Sequence, residues 1–240
     1  VKKMNLKLLT IVIALSTTMS ATAQKKGKVK TKRSTTTVVE SPGLKLYKSM
    51  IPSTAKLMFV DSVVVDKKDF LSKIPLISEA GKLTMRDTLH SQYLNEFGDR
   101  LIFAHGDSTS SALYSADKLA DRWSSPTPLF KKSEGIERAN YPYLMADGVT
   151  LYFAAQGVNS MGGYDIFMST FDLDTGVFYS PENIGLPFNS TANDYLLAID
   201  DINHLGWLVT DRRQPEDKVC IYTFVPTASR QGFEDTNLTN

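Results

Sequence analysis

The 240-residue sequence predicts an all-β fold assembled from repeats, on three observations. A twelve-residue segment near the middle recurs 50 positions later. Short apolar runs alternate with Gly, Asp and Pro at even spacing, the pattern of hairpins. β-branched and aromatic residues gather in those runs, and helical periodicity is poor beyond the first two dozen residues.

In chain order, the first element is an export signal over residues 1–23. Lys2, Lys3 and Lys7 make a basic start, Leu8 to Leu15 is an unbroken apolar run, and Ala21-Thr22-Ala23 offers the small residues a signal peptidase requires. The run is about half the length needed to span a bilayer, so no transmembrane segment is expected after cleavage. No cysteine sits near the cleavage point to carry a lipid. Residues 24–44 form a basic arm, with Lys25, Lys26, Lys28, Lys30, Lys32 and Arg33, and are expected to be solvated. Losing the three signal lysines leaves 24 basic residues against 26 acidic ones. That balance provides no global field for nucleic acid.

The repeats occupy residues 45–226. Tyr93 to Ala104 (YLNEFGDRLIFA) aligns without gaps on Tyr143 to Ala154 (YLMADGVTLYFA), with six of twelve positions identical. The shared frame is Tyr93, Leu94, Gly98, Leu101 and Phe103 against Tyr143, Leu144, Gly148, Leu151 and Phe153, with Asp147 opening the second turn. A third copy starts at Ala192, and Leu57 to Val60 hint at an earlier one. Each copy continues into a second strand, at Ala112, Tyr164 and Val219. Trp123 and Phe178, each three residues before a proline, are expected to pack between copies. Units of about 50 residues with three or four strands are the size of propeller blades. The expected blades are 45–90, 91–138, 139–191 and 192–226, followed by a polar tail over 227–240. Three or four blades fall short of an ordinary ring, so a partial or open propeller is among the expectations.

The second unit, YPYLMADGVTLYFAAQGVNSMGGYDIFMS, resembles the WD40-like repeat of TolB-type propellers. Asp147-Gly148, Leu151-Tyr152-Phe153, Gly162-Gly163 and Asp165-Ile166 carry the likeness. MGGYDIFMS and LPFNSTANDYLL are also similar to repeats in exported envelope proteins of Bacteroidetes-like bacteria. The resemblance covers Tyr93 to Pro226 and departs from the pattern at Phe97-Gly98, Ala112 and Cys220. It implies a periplasmic or outer-envelope scaffold that binds another envelope protein or a cell-wall component.

Residues with chemical potential are sparse. His90, His105 and His204 have no metal-ligand spacing, and no metal or cofactor is expected. Cys220, in an apolar strand, reads as a buried small hydrophobe. Gly157, Gly162 and Gly163 read as turn residues supplying positive φ. A glycosidase needs two acids about 5–9 Å apart, and Asp147, Asp165, Asp172, Asp174, Asp200 and Asp201 are the candidates. Most lie where aspartate holds its own turn. The expected function is therefore non-catalytic protein binding, with a glycan-binding or glycoside-hydrolase propeller as the alternative. Tyr164 and Asp165 are the candidate binding pair, and Tyr141 and Tyr179 also fall near loops.

Overall fold

The structure, a computed structural model, describes residues 40–53, 57–131 and 134–226. The signal, nearly all of the basic arm and the polar tail lie outside the described residues. The chain enters through α1 (Pro42–Met50), an element absent from the all-β expectation. Ser41 caps it, its hydroxyl accepting the Leu44 N–H at 3.2 Å, and Pro42 fixes the first-turn φ. Then comes β1 (Phe59–Asp66), followed by a link that buries Phe70, Leu71 and Ile74.

Three antiparallel units follow. The first holds β2 (Lys82–Met85), β3 (Ser91–Leu94), β4 (Arg100–Gly106) and β5 (Ser111–Leu119), with β6 (Arg122–Trp123) and β7 (Thr127–Pro128) on its outer side. The second holds β8 (Ile136–Leu144), β9 (Thr150–Gly157) and β10 (Asp165–Asp172), with β11 (Val177–Phe178) and β12 (Glu182–Asn183) outside. The third holds β13 (Asp194–Asp200), β14 (Leu205–Thr210) and β15 (Lys218–Phe224). Its outer strand is β1, contributed from before the first unit. Residues 45–90 are therefore divided. β1 completes the last unit, β2 joins the first, and α1 straddles the expected boundary at 44.

The fold is all-β apart from α1 and short 3₁₀ turns, and its sheets are open. β1 and β13 end one sheet, while a single parallel bridge, Ser111 to Arg138, links the first two units. The apolar strands are explained by stacking. Antiparallel partners share a face, so Ala154 and Ile166 lie together, as do Phe153 and Phe167. The first pair packs on Leu197, Leu208 and Phe224 of the third unit. In the second pair the rings stack 6.0 Å apart, and Phe153 stacks in turn on Phe130, from the end of the first unit, at 5.1 Å. A strand covered on both sides has no reason to alternate with polar residues. The far face of the third unit, with Leu196, Val209 and Ile221, shares a core with Phe70, Leu71 and Ile74 of the link. Burial of each such large side chain contributes about 2–3 kcal/mol.

The repeated frame sits as its pattern requires. Tyr93 and Tyr143 are buried, with rings 5.5 Å apart edge to face. Phe103, Leu144, Leu151 and Phe153 are buried, while Leu94 and Leu101 are half-buried. Gly98 and Gly148 both take φ +69°, the left-handed turn that glycine adopts without a Cβ penalty. Gly157, Gly162 and Gly163 differ from the expectation: close approach, not positive φ, requires them, a Cβ on Gly157 striking the Gly135 carbonyl. A Cβ on Gly162 would strike the Ala192 carbonyl, and one on Gly163 the Asn193 side chain. Trp123 is 43% exposed on the short β6, so it does not pack between units, whereas Phe178 packs on Phe130 and Phe171.

Candidate functional site

The innermost strands of the second and third units share a local device. Ala139-Asn140 and Ala192-Asn193 occupy equivalent repeat positions, and each asparagine reaches back into the preceding unit. Asn140 Oδ1 accepts from the Ser91 N–H (2.9 Å) and hydroxyl (2.8 Å), and its Nδ2 donates to the Leu89 carbonyl (2.7 Å). Asn193 Oδ1 accepts from the Tyr164 N–H at 3.0 Å, while its Nδ2 donates to Asp211 at 2.9 Å. Immediately after each asparagine the ladder slips, between Asn140 and Tyr143 in β8 and between Asp194 and Leu196 in β13. Bulges re-aim side chains. Here they bring Tyr141 and Tyr195 together, ring centroids 5.9 Å apart and nearly perpendicular.

Tyr141 has φ +51°, a left-handed conformation costing about 1–2 kcal/mol for a residue with a Cβ. The Ser91 hydroxyl and Asn140 Oδ1, both accepting from its N–H, hold it there at 2.9 and 3.0 Å. Phe70 (5.2 Å) and Tyr164 (6.3 Å) complete the ring cluster. Burial pushes the Tyr141 hydroxyl up to about 12, with the Tyr164 hydroxyl adding and Arg138 opposing, so it is a neutral donor at physiological pH. Asp211 organises the charged side. Burial alone would raise its carboxyl, but donors from the Asn193 N–H (2.9 Å), Tyr195 hydroxyl (2.8 Å) and Lys67 (3.2 Å) hold it below the ordinary value.

Over this cluster opens a cleft of about 710 Å³. Phe70, Leu71, Met85 and Tyr141 form its apolar part, and Lys67, Lys68, Asp66, Asp87 and Asp217 its charged margin. Sequence reasoning does not select Phe70 or Lys67, because the repeat frame starts after them. The doublet Ala-Asn in two copies is the available signal for the bulged tyrosines.

The sequence-selected pair separates. Tyr164 joins the ring cluster, with Arg138 5.1 Å over its face. Asp165 lies on no rim, because it is fully buried beneath the loop that precedes it. One oxygen accepts from the Met161 N–H (2.5 Å) and Asn183 Nδ2 (2.7 Å), and the other, Oδ1, has no hydrogen-bond partner. Burial, the largest influence, raises its carboxyl to about 6, against the lowering effect of the Met161 and Asn183 donors. Beside it, Asp194 is buried with its carboxyl also raised by burial, opposed by Arg212 at 2.6 Å. Tyr179 is 57% exposed, away from the cluster.

Three of the remaining candidate acids, Asp147, Asp172 and Asp200, serve their own turns. Asp147 accepts from the Val149 and Thr150 N–H groups, Asp172 from Asp174 and Thr175, and Asp200 from Ile202 and Asn203. A smaller cleft of about 360 Å³ lies among turn tips that include Asp99, Asp117 and Asp147. Those carboxylates are bonded to Asn95, Arg100 and Thr150 respectively. Among the described residues no three His, Cys, Asp or Glu side chains are grouped to hold a metal ion. No helix among them is long and apolar enough to cross a membrane. Cys220 is buried, and burial raises its thiol. No family model, curated protein or solved structure matches the chain.

Proposed function

We propose that the chain is a WD40-like, propeller-type repeat protein of the bacterial cell envelope that works by binding, with its partner seated in the cleft over Tyr141. The strained, doubly held Tyr141 at the foot of that cleft carries the reading. Strain of this kind persists where the surroundings over-determine it, and it concentrates at ligand sites. An apolar floor with a margin of both charge signs is the composition of a specific binding pocket. The export signal and the repeat resemblance support the location.

The turn-bound state of Asp147, Asp172 and Asp200 favours binding over glycoside hydrolysis, since acids engaged by their own backbone are poorly placed to flank a sugar bond. Affinity capture from native envelope separates the outcomes. Wild-type protein is expected to retain a defined partner that Tyr141→Ser and Lys68→Glu both lose. An identical set of captured proteins from all three would remove the cleft from the function. Retention of purified cell-wall glycan by wild type alone would replace the protein partner with a saccharide.

A further inference from the structure

Among the described residues, the edge of β1 is longer and more exposed than the short outer edges of the other units, and unlike β13 at its sheet's other end it is largely uncovered. β6, β7, β11 and β12 are two residues each, and short edges resist unwanted pairing. β1 is eight residues long, contains no proline, glycine or lysine, and ends its sheet. Val60, Val63 and Val64 are 55%, 48% and 52% exposed, so apolar side chains are uncovered on both of its faces.

The hydrogen-bond phase of the strand is fixed. The Lys67 N–H donates to the Asp217 carbonyl at 2.9 Å, so odd-numbered residues back to Asp61 turn their backbone groups toward β15. Ser62, Val64 and Asp66 therefore offer theirs to the free edge. Consistent with this phase, the Ser62 N–H donates at 2.7 Å to the neighbouring Asp61 carboxylate. An antiparallel partner must place even-numbered residues opposite even-numbered ones if that partner is β1 itself.

We propose that β1 pairs with β1 of a second copy about a twofold axis through Val64, joining two third units into one continuous sheet. Of the registers centred on Val63, Val64 and Val65, this one alone sets apolar against apolar and polar against polar across its central five residues. Val64 faces Val64, Val63 faces Val65, Ser62 faces Asp66, and Asp61 faces Lys67. Each heterotypic pair occurs twice by symmetry. Moving the axis to Val63 sets Asp61 against Val65 and Asp66 against Val60. Moving it to Val65 sets Val64 against Asp66 and Val63 against Lys67. The pairing supplies about six main-chain hydrogen bonds from Ser62, Val64 and Asp66 of the two copies. It also covers the exposed valines.

Sedimentation of the full chain across a concentration series is expected to show reversible dimerisation. Val64→Pro removes only the outward-facing N–H, which an edge strand tolerates, and is expected to give a monomer that unfolds as cooperatively as wild type. Register is read by cross-linking in a Cys220→Ala background, because Cys220 lies opposite Val64 across β15 and would otherwise compete. There Val64→Cys is expected to form a 64–64 disulfide dimer on oxidation, and Val63→Cys and Val60→Cys are not. A wild-type chain that stays monomeric throughout the series, a Val64→Pro dimer, or a preference for the 63–63 cross-link would each overturn the proposal.

Discussion

Replacing Asp165 with asparagine isolates one buried charge and gives it a measurable pH signature. The carboxyl is fully buried and its proton affinity is raised from 3.8 to about 6, with burial the largest cause. The folded protein therefore binds this proton more tightly than the unfolded chain does. Between about pH 4 and pH 6 the native state holds more protons, so stability falls as pH rises through that window and levels off above it. A tenfold change in proton affinity corresponds to about 1.4 kcal/mol, and the full difference is about 3 kcal/mol. The amide that replaces the carboxyl would keep an acceptor for Met161 and Asn183 and place an NH₂ where Oδ1 has no partner. That unmatched donor costs about 1–3 kcal/mol, but the cost does not vary with pH. Urea denaturation of wild type and Asp165→Asn at half-unit steps from pH 4 to pH 8 provides the test. Wild-type stability minus variant stability should decrease by about 3 kcal/mol over the window. Asp194 and Arg212 are present in both proteins, so their titration largely cancels. A difference curve flat to within about 0.5 kcal/mol, or one that rises with pH, would refute the argument.

Four further substitutions address the framework. Asn140→Ala strands the buried Ser91 donors and frees the Leu89 carbonyl, and thermal unfolding should show a loss of about 2–4 kcal/mol. Phe70→Ala empties the contact between the β1–β2 link and Tyr195, costing about 3–5 kcal/mol by chemical denaturation. Asp147→Ala removes three turn hydrogen bonds at an exposed site, a loss of about 1–2 kcal/mol on the same assay. Ala120→Gly should stabilise by about 0.5–1 kcal/mol, because exposed Ala120 holds φ +56° where glycine carries no Cβ penalty.

The hairpin frame is legible in the sequence because it depends on local rules repeated twice. Gly98 and Gly148 must turn left-handed, Tyr93 and Tyr143 must be buried, and a gapless match at 50 residues records both constraints. What escapes is set by long-range partners. Nothing within Phe59–Asp66 tells that its ladder partner is β15, more than 150 residues away, since an alternating or apolar run pairs with whatever edge the fold leaves open. α1 escapes for the opposite reason: Ser41 and Pro42 signal a helix start locally, but nine residues give the periodicity little length to declare itself. Tyr164 and Asp165 are adjacent in sequence and read as one site, yet successive strand residues point to opposite faces. That alternation sends Tyr164 into the aromatic cluster and Asp165 into the buried network with Asn183.

The proposed binding cleft lies where one repeat meets the next. Asn140 and Asn193 do the same work, yet the bulges behind them release different side chains, Tyr141 from one and Asp194 with Tyr195 from the other. Asp194 is then consumed by Arg212 and the Ser190 N–H, which leaves the tyrosines as the groups turned toward the open side. The β1–β2 link lies there because β1 pairs with β15 and the link packs on the third unit's far face. Phe70 and Lys67 reach the site only through that arrangement. The cleft is thus a by-product of closing the last unit with the first strand, and a change that weakens β1–β15 pairing should loosen the cleft together with the third unit.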